Sequence, residues 1–317
     1  MSDRSLSESA LHRHFGRRGL DLPGRVLLPP GDDMAMLALD SSDRFLAAAD
    51  QVVVGRHVRT DEDPFAIGRK AVLRNLSDVA AMAARPLAIL ATATLSPDRD
   101  QRWAEALHAG LHETGLAFDS PLIGGDLATH ADRGTPDVVS VTILARPGTD
   151  DGRVITRHGA SAGDLVAVTG RLGGSLAADG GGRHLDFPPR IEEAVALASR
   201  LGTDLVAMLD VSDGVARDAA RLATANGVGV RILAERLPCN PGCDWRSAVG
   251  DGEDYELLFA CRREPPSEID GVPVTIIGRF ESAAADAGRV RVEVDGDLVD
   301  ADGLGWEHEG NSDGPTG

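Results

Sequence analysis

The chain has 317 residues, with 32 Lys+Arg against 50 Asp+Glu and a formal net charge of −18. That length suits two domains and a core buried without disulfide staples, and 42% hydrophobic residues are too many for a disordered chain. The acidic balance argues against a broad nucleic-acid surface. No apolar run reaches the roughly 18 residues of a membrane span, and the first residues, MSDRSLSESALHRHFGRR, lack the apolar core of a secretory signal.

In chain order, residues 1–30 are polar, with one short helical pattern at Glu8–Phe15. The run Arg44–Ala49, RFLAAA, predicts a buried strand ending at Asp50. Asp63-Pro64 opens a long helical pattern, PFAIGRKAVLRNLSDVAAMAA, with Pro64 in the first turn, where its missing N–H is harmless. Leu87–Leu95 reads as a strand and Asp98–Gly115 as an amphipathic helix with a Gly stop. Pro121–Gly125 reads as a short strand running into a Gly-Gly-Asp turn, and Val138–Arg146 as another strand. The Gly- and charge-rich stretch 147–162 reads as a linker, which divides the chain into residues 1–147 and 148–317.

The second unit opens with a strand over 163–170 and a Gly-rich stretch at 170–182. A helix follows at Pro189–Leu201, then a strand at Leu205–Leu209 ending at Asp210, then a helix at Ser212–Ala225 with Ser212 or Asp213 as its cap. Strands follow at Val228–Leu233, Tyr255–Ala260, Pro273–Ile277 and Arg289–Val294, and the end from about residue 309 reads as a disordered tail. The alternation makes this an α/β or α+β protein in two units. Cys239, Cys243 and Cys261 form neither a disulfide framework nor a complete zinc site, and point to a reduced, cytoplasmic protein.

Several aspartates stand where a buried strand gives way to a turn. They are Asp32 and Asp33 in GDD, Asp50 after RFLAAA, Asp126 in IGGD, and Asp210 and Asp213 in LDVSDG. Any one of them is usually a turn or cap residue. Together they read differently, because ligands of α/β proteins gather at strand ends. Crowded carboxylates stay ionised only when cations hold them, and oxygen ligands suit Mg²⁺, which bridges to phosphates. Asp78 lies on an apolar helical face among Leu76, Val79 and Met82, where a charge needs a partner. These residues point to a multi-Mg²⁺ site that handles a polyphosphate. There is no Walker A sequence, no dinucleotide fingerprint and no G-x-S-x-G elbow. The stretch Gly170–Gly174, GRLGG, is either a flexible turn or a phosphate cradle.

Five motifs in this order carry a resemblance: GDDMA (31–35), NLSDVAAMAARP (75–86), IGGD (123–126), LDVSDG (209–214) and GEDYEL (252–257). Over about residues 5–308 the chain resembles the thiamine-monophosphate kinase family of the aminoimidazole-ribonucleotide synthetase superfamily. The resemblance implies a two-domain α/β (α+β) fold whose N-terminal sheet pairs with that of a second subunit in a homodimer, with the nucleotide near the interface. It implies ATP-dependent phosphorylation of thiamine phosphate to thiamine diphosphate with several Mg²⁺ ions. Such chemistry asks the protein for positioning and charge neutralisation.

By the same resemblance, Asp33, Asp50, Asp78, Asp126, Asp210 and Asp213 are metal ligands, with Asp126 and Asp210 central to catalysis. Gly125, Asp126, Arg157 and Ser212 contact ATP. His57, Glu253 and Trp306 contact thiamine phosphate, Trp306 by stacking on a substrate ring. Lys70, the single lysine against 32 − 1 = 31 arginines, matches a family lysine and is given no role beyond packing its stem. The pattern departs from the family at Ala48-Ala49, where Ser-Thr usually precedes the aspartate, and at Leu127, Ala83 and the residue after His308. Two alternatives stand beside this reading: another ATP-dependent enzyme of the superfamily, and a homologue that binds Mg-ATP but has lost catalysis.

Overall fold

The computed structural model describes residues 24–28, 31–38, 44–282, 287–301 and 303–306. The helical pattern expected at Glu8–Phe15 and the tail from about 309 lie outside them.

Six strands of the first half form one sheet in the order β1-β2-β3-β6-β4-β5. They are β1 (Val26–Leu28), β2 (Ala35–Ala38), β3 (Arg44–Val53), β4 (Ala84–Leu95), β5 (Leu122–Thr129) and β6 (Val138–Pro147). All neighbours are antiparallel except β4 and β5, whose parallel pairing is made possible by the intervening helix α2 (Gln101–Ala117). Alternation along β6 shows which face is covered: Val139, Val141, Ile143 and Ala145 are buried under helices, while the residues between them stay half-exposed.

Helix α1 (Pro64–Ala81) joins β3 to β4. Its start follows from Asp63, whose carboxylate accepts the Ala66 N–H, and from Pro64 at the first helical position. It crosses α2 at two glycines. A Cβ on Gly68 would lie 2.4 Å from the Leu107 carbonyl oxygen, and one on Gly110 would lie 2.1 Å from that of Phe65. The helix ends against Ala83, which takes a left-handed φ of 50° in the place where a glycine would be unstrained.

The second half builds a sheet in the order β14-β13-β9-β12-β7-β10-β8, with β11 added beside β12. Its strands are β7 (Leu165–Thr169), β8 (Leu205–Asp210), β9 (Gly229–Leu233), β10 (Leu257–Cys261), β11 (Glu268–Ile269), β12 (Val272–Glu281), β13 (Val290–Val294) and β14 (Asp297–Asp300). One face packs under α4 (Val215–Asn226) and α5 (Trp245–Gly250), through Val215, Ala219, Leu222 and Val249. The other shares a continuous core with α1, α3 (Ile191–Leu201) and the first sheet. Helix α1 therefore lies between the two halves.

Four expectations are corrected. β3 continues through Asp50 to Val53, and β5 continues through Gly124, Gly125 and Asp126 to Thr129, so neither acid ends its strand. Helix α2 passes Gly115 without stopping; that glycine lets the Ser120 carbonyl approach to 2.5 Å of where a Cβ would sit. Helix α4 starts at Val215 behind Gly214 rather than at a Ser212 or Asp213 cap. The cause is Asp218, whose Oδ2 accepts the N–H groups of Ser212 at 3.1 Å and Asp213 at 3.0 Å.

Candidate active site

The site follows from α1. Lys70, Arg74 and Asp78 are spaced by four, so one helical face carries all three along the junction of the two halves. At the Asp78 end, carboxylate oxygens of Asp33, Asp78 and Asp210 all lie within 4.8 Å of one another. Asp33 comes from the turn before β2, Asp78 from the last turn of α1, and Asp210 from the end of β8. Burial pushes the Asp78 carboxyl well up, and the charges of Asp50, Asp210 and Asp33 push it further. Burial and Asp33 raise Asp210 to about 7, although its Oδ2 accepts the Ser77 hydroxyl at 2.6 Å. Burial and Asp33 likewise raise Asp32 to about 6.

Arginines hold the neighbouring acids. Arg157 donates from Nη2 to Asp33 at 2.6 Å and from Nε at 3.3 Å, and its backbone N–H donates to both oxygens of Asp32. Arg74 sits 3.0 Å from Asp50 and donates to the Gln51 carbonyl at 2.8 Å. Arg221 pairs with Asp213 and also with Asp218. Two buried atoms beside Asp50, Arg74 Nε and the Tyr255 hydroxyl, have no hydrogen-bond partner among the described residues.

At the other end of the helical face, the ammonium of the fully buried Lys70 meets Glu253, the His57 carbonyl at 2.9 Å and His184 Nδ1 at 2.6 Å. Glu253 stands at a left-handed φ of 57°, and its N–H donates to the Ser212 carbonyl at 2.7 Å. Burial alone would raise its carboxyl, but the charges of Lys70 and Arg74 win and hold it at about 2. His57 Nδ1 accepts the Val53 N–H at 2.8 Å, which leaves the proton on Nε2. Trp306 is half-exposed, with its N–H on the Asp213 carbonyl at 2.9 Å and its carbonyl held by Arg217. LDVSDG, GEDYEL and the Gly305-Trp306 segment thus meet at one turn.

Not every candidate joins. Through the strand pairings Thr92↔Asp126, Thr92↔Ser140 and Gln51↔Ser140, Asp126 shares the open face of the first sheet with Gln51, whereas Asp50 points to the helical side. Asp126 is exposed on the edge strand and stands apart from the Asp33–Asp78–Asp210 cluster. Gly125 has a packing reason to be glycine: a Cβ there would lie 1.7 Å from the Ala91 carbonyl oxygen.

The sequence reading missed several contributors. Lys70, the one lysine and a match to a family lysine, is given no role by the sequence beyond packing its stem. Arg74, His184 and Asp218 carried no signal of their own. In GEDYEL, Asp254 accepts the Gly173 N–H and the Ser175 hydroxyl, and Glu256 forms a two-pronged pair with Arg190. The GRLGG stretch is thereby a loop anchored on Asp254.

Comparison with known proteins agrees with this arrangement. Residues 31–146 match the AIR synthase related protein N-terminal domain and residues 161–300 the AIR synthase related protein C-terminal domain. The chain belongs to this class of two-domain proteins. A thiamine-monophosphate kinase of Rhodopirellula baltica is 35% identical over 86% of this chain and 89% of its own. That of Escherichia coli K12 is 32% identical over 89% and 92%. A solved structure described as AaThiL complexed with AMPPCP and TMP superposes with a TM-score of 0.77 at 27% identity, covering 96% of this chain and 97% of that one. Within the class, the chain is a member of the thiamine-monophosphate kinase family.

Proposed function

We propose that the transfer site of this chain lies between its two sheets, with thiamine phosphate toward Lys70 and Glu253 and the reacting phosphates toward Asp33, Asp78 and Asp210. The reaction is that of the family: ATP phosphorylates thiamine phosphate, giving thiamine diphosphate and ADP. Support for the site comes foremost from the aspartate cluster. Three carboxylates this close, two of them with acidity suppressed by burial, call for cations, and an all-oxygen set fits Mg²⁺. Asp33, Asp78 and Asp210 would hold it. Asp50 and Asp213 are candidates for further ions once Arg74 and Arg221 release them. Bound Mg²⁺ supplies positive charge to the phosphate oxygens.

The chain's own residues bind and orient. Arg157 is suited to the ATP phosphates, because its planar fork matches phosphate oxygens. Ser212 approaches them from the turn that also holds Glu253. Glu253, ionised at every physiological pH, faces the cationic thiazolium or the aminopyrimidine, and His57 contacts the same substrate. The exposed Trp306 ring stacks on a substrate ring. Asp210, fixed by Ser77, takes the central catalytic place, and no protein nucleophile is needed.

Asp126 and Gly125 are assigned to the nucleotide on the family pattern. β3 and β5 are separated by β6 and β4, roughly 14 Å at about 4.8 Å per strand, so Asp126 cannot share an ion with Asp50 of its own chain. It therefore serves the site of a second copy in a homodimer. The exposed edge strand β5, with Ile123 and Leu127 each 61% exposed, supports that pairing. The division at 147/148 places the edge in the N-terminal domain. Among the described residues no helix is long and apolar enough to cross a membrane, and free Cys239, Cys243 and Cys261 suit a reducing cytoplasm.

The test is thiamine diphosphate and ADP measured together, with ATP, Mg²⁺ and thiamine phosphate supplied. Equal amounts of both support the reading. Mg-ATP binding without thiamine diphosphate would favour the lapsed homologue and direct attention to Ala48-Ala49.

A further inference from the structure

Lys70 is the one lysine in a chain with 31 arginines, and its side chain is fully buried. An ammonium has three N–H donors. Each has an acceptor here: the His57 carbonyl at 2.9 Å, His184 Nδ1 at 2.6 Å, and the Glu253 carboxylate. The His184 ring is held on its far side as well, with Nε2 at 3.2 Å from the Gly180 carbonyl. The three acceptors come from three separate segments: the turn after β3, the turn that closes the Gly-rich stretch, and the GEDYEL loop. One tetrahedral point charge gathers them; a planar guanidinium has the wrong shape to face three acceptors that surround a single atom.

We infer that Lys70 is a positioning residue for thiamine phosphate: its ammonium fixes the Glu253 carboxylate and the His57 turn relative to each other, and so sets affinity for that substrate and not for ATP. Two observations support this. Glu253 sits at a left-handed φ of 57°, a conformation that persists only where contacts over-determine it. Its carboxylate is 25% exposed on one side and clasped by Lys70 on the other, so its free oxygen is directed rather than loose. His57 is gripped through its own carbonyl by Lys70 and through its ring by Val53. The inference rests on the reading that Glu253 and His57 touch thiamine phosphate.

The experiment is steady-state kinetics of the full chain carrying Lys70→Met, Glu253→Gln and the double substitution, with each substrate varied separately. Lys70→Met should raise KM for thiamine phosphate on the order of tenfold or more while KM for ATP moves less than about twofold, the split expected of lost substrate binding. A purely structural lysine would impair both substrates or neither. Lys70→Met leaves a buried carboxylate unpaired and can fail to fold; the double variant removes both charges and keeps the test open. In it, the rise in KM for thiamine phosphate should be smaller than the product of the two single rises, because part of what Lys70 does is done through Glu253. A rise equal to that product would overturn the inference, as would an unchanged KM in Lys70→Met where Glu253→Gln raises it. If Glu253→Gln itself leaves that KM unchanged, the substrate role of Glu253 fails first, and the inference falls with it.

Discussion

The two ends of one face of α1 differ in how their charges are balanced. At the Lys70 end the protein supplies both signs: an ammonium with three acceptors and a carboxylate held at about 2. Two turns along, at Asp78, it supplies mostly one sign, and the carboxyls of Asp78 and Asp210 are pushed up by burial and by neighbouring carboxylates. A matched end is finished when the chain folds, which suits holding an organic substrate in one orientation. An unmatched end is finished only by cations and a ligand that carries them.

The contrast is broken most severely at Asp210. Asp210→Asn should lower turnover by about 10³-fold or more, as expected when charge stabilisation is removed from a transition state. The same substitution should raise the melting temperature of the metal-free protein, since it relieves crowding at the unmatched end. A Lys70→Met change should do the reverse to stability, and a thermal melt of both variants without divalent ions separates the two ends.

Acidity sharpens the same comparison. In the folded chain Asp210 titrates at about 7, against about 4 for an ordinary aspartate. Between those values the folded state holds a proton that the unfolded chain does not. Its contribution to stability is complete below about pH 4 and is lost as pH rises through 7. The melting temperature without metal should therefore fall on the order of several degrees between pH 5 and 8 through this group, and Asp210→Asn should flatten the fall. Added Mg²⁺ should raise the melting temperature more at pH 8 than at pH 5, because it competes with that proton.

Trp306→Ala should raise KM for thiamine phosphate about tenfold and leave KM for ATP nearly unchanged, the loss expected from one stacking contact. Equal effects on both substrates would make Trp306 a structural cover of the Asp213 turn. The smallest effect belongs to Ala83, held at φ 50° where α1 ends. Ala83→Gly should stabilise the protein by about 1 kcal/mol by relieving the left-handed strain, with kinetics unchanged. Denaturant unfolding would read it.

Much of this was legible in the sequence where the signal is local. Asp63-Pro64 announces α1, the strand read at Val138–Arg146 is β6, and the five motifs announce the family. The errors share a physical cause: what decided them came from elsewhere in the chain. Asp50 and Asp126 looked like strand ends because Gly and Asp favour turns, but β6 and β4 carry both strands past those residues by pairing. Gly115 looked like a helix stop, yet it is there for the close approach of Ser120. Ser212 looked like a cap until Asp218, six residues on, took its N–H. Lys70 looked like packing because its partners are 13, 114 and 183 residues away.

The most direct measurement is divalent-ion binding in the presence of a non-hydrolysable ATP analogue, by calorimetric titration of the wild type and of Asp78→Asn/Asp210→Asn. The account predicts Mg²⁺ binding by the wild type that the double variant loses while it remains folded. Undiminished Mg²⁺ binding in the variant would contradict it and remove the aspartate cluster from the centre of the site.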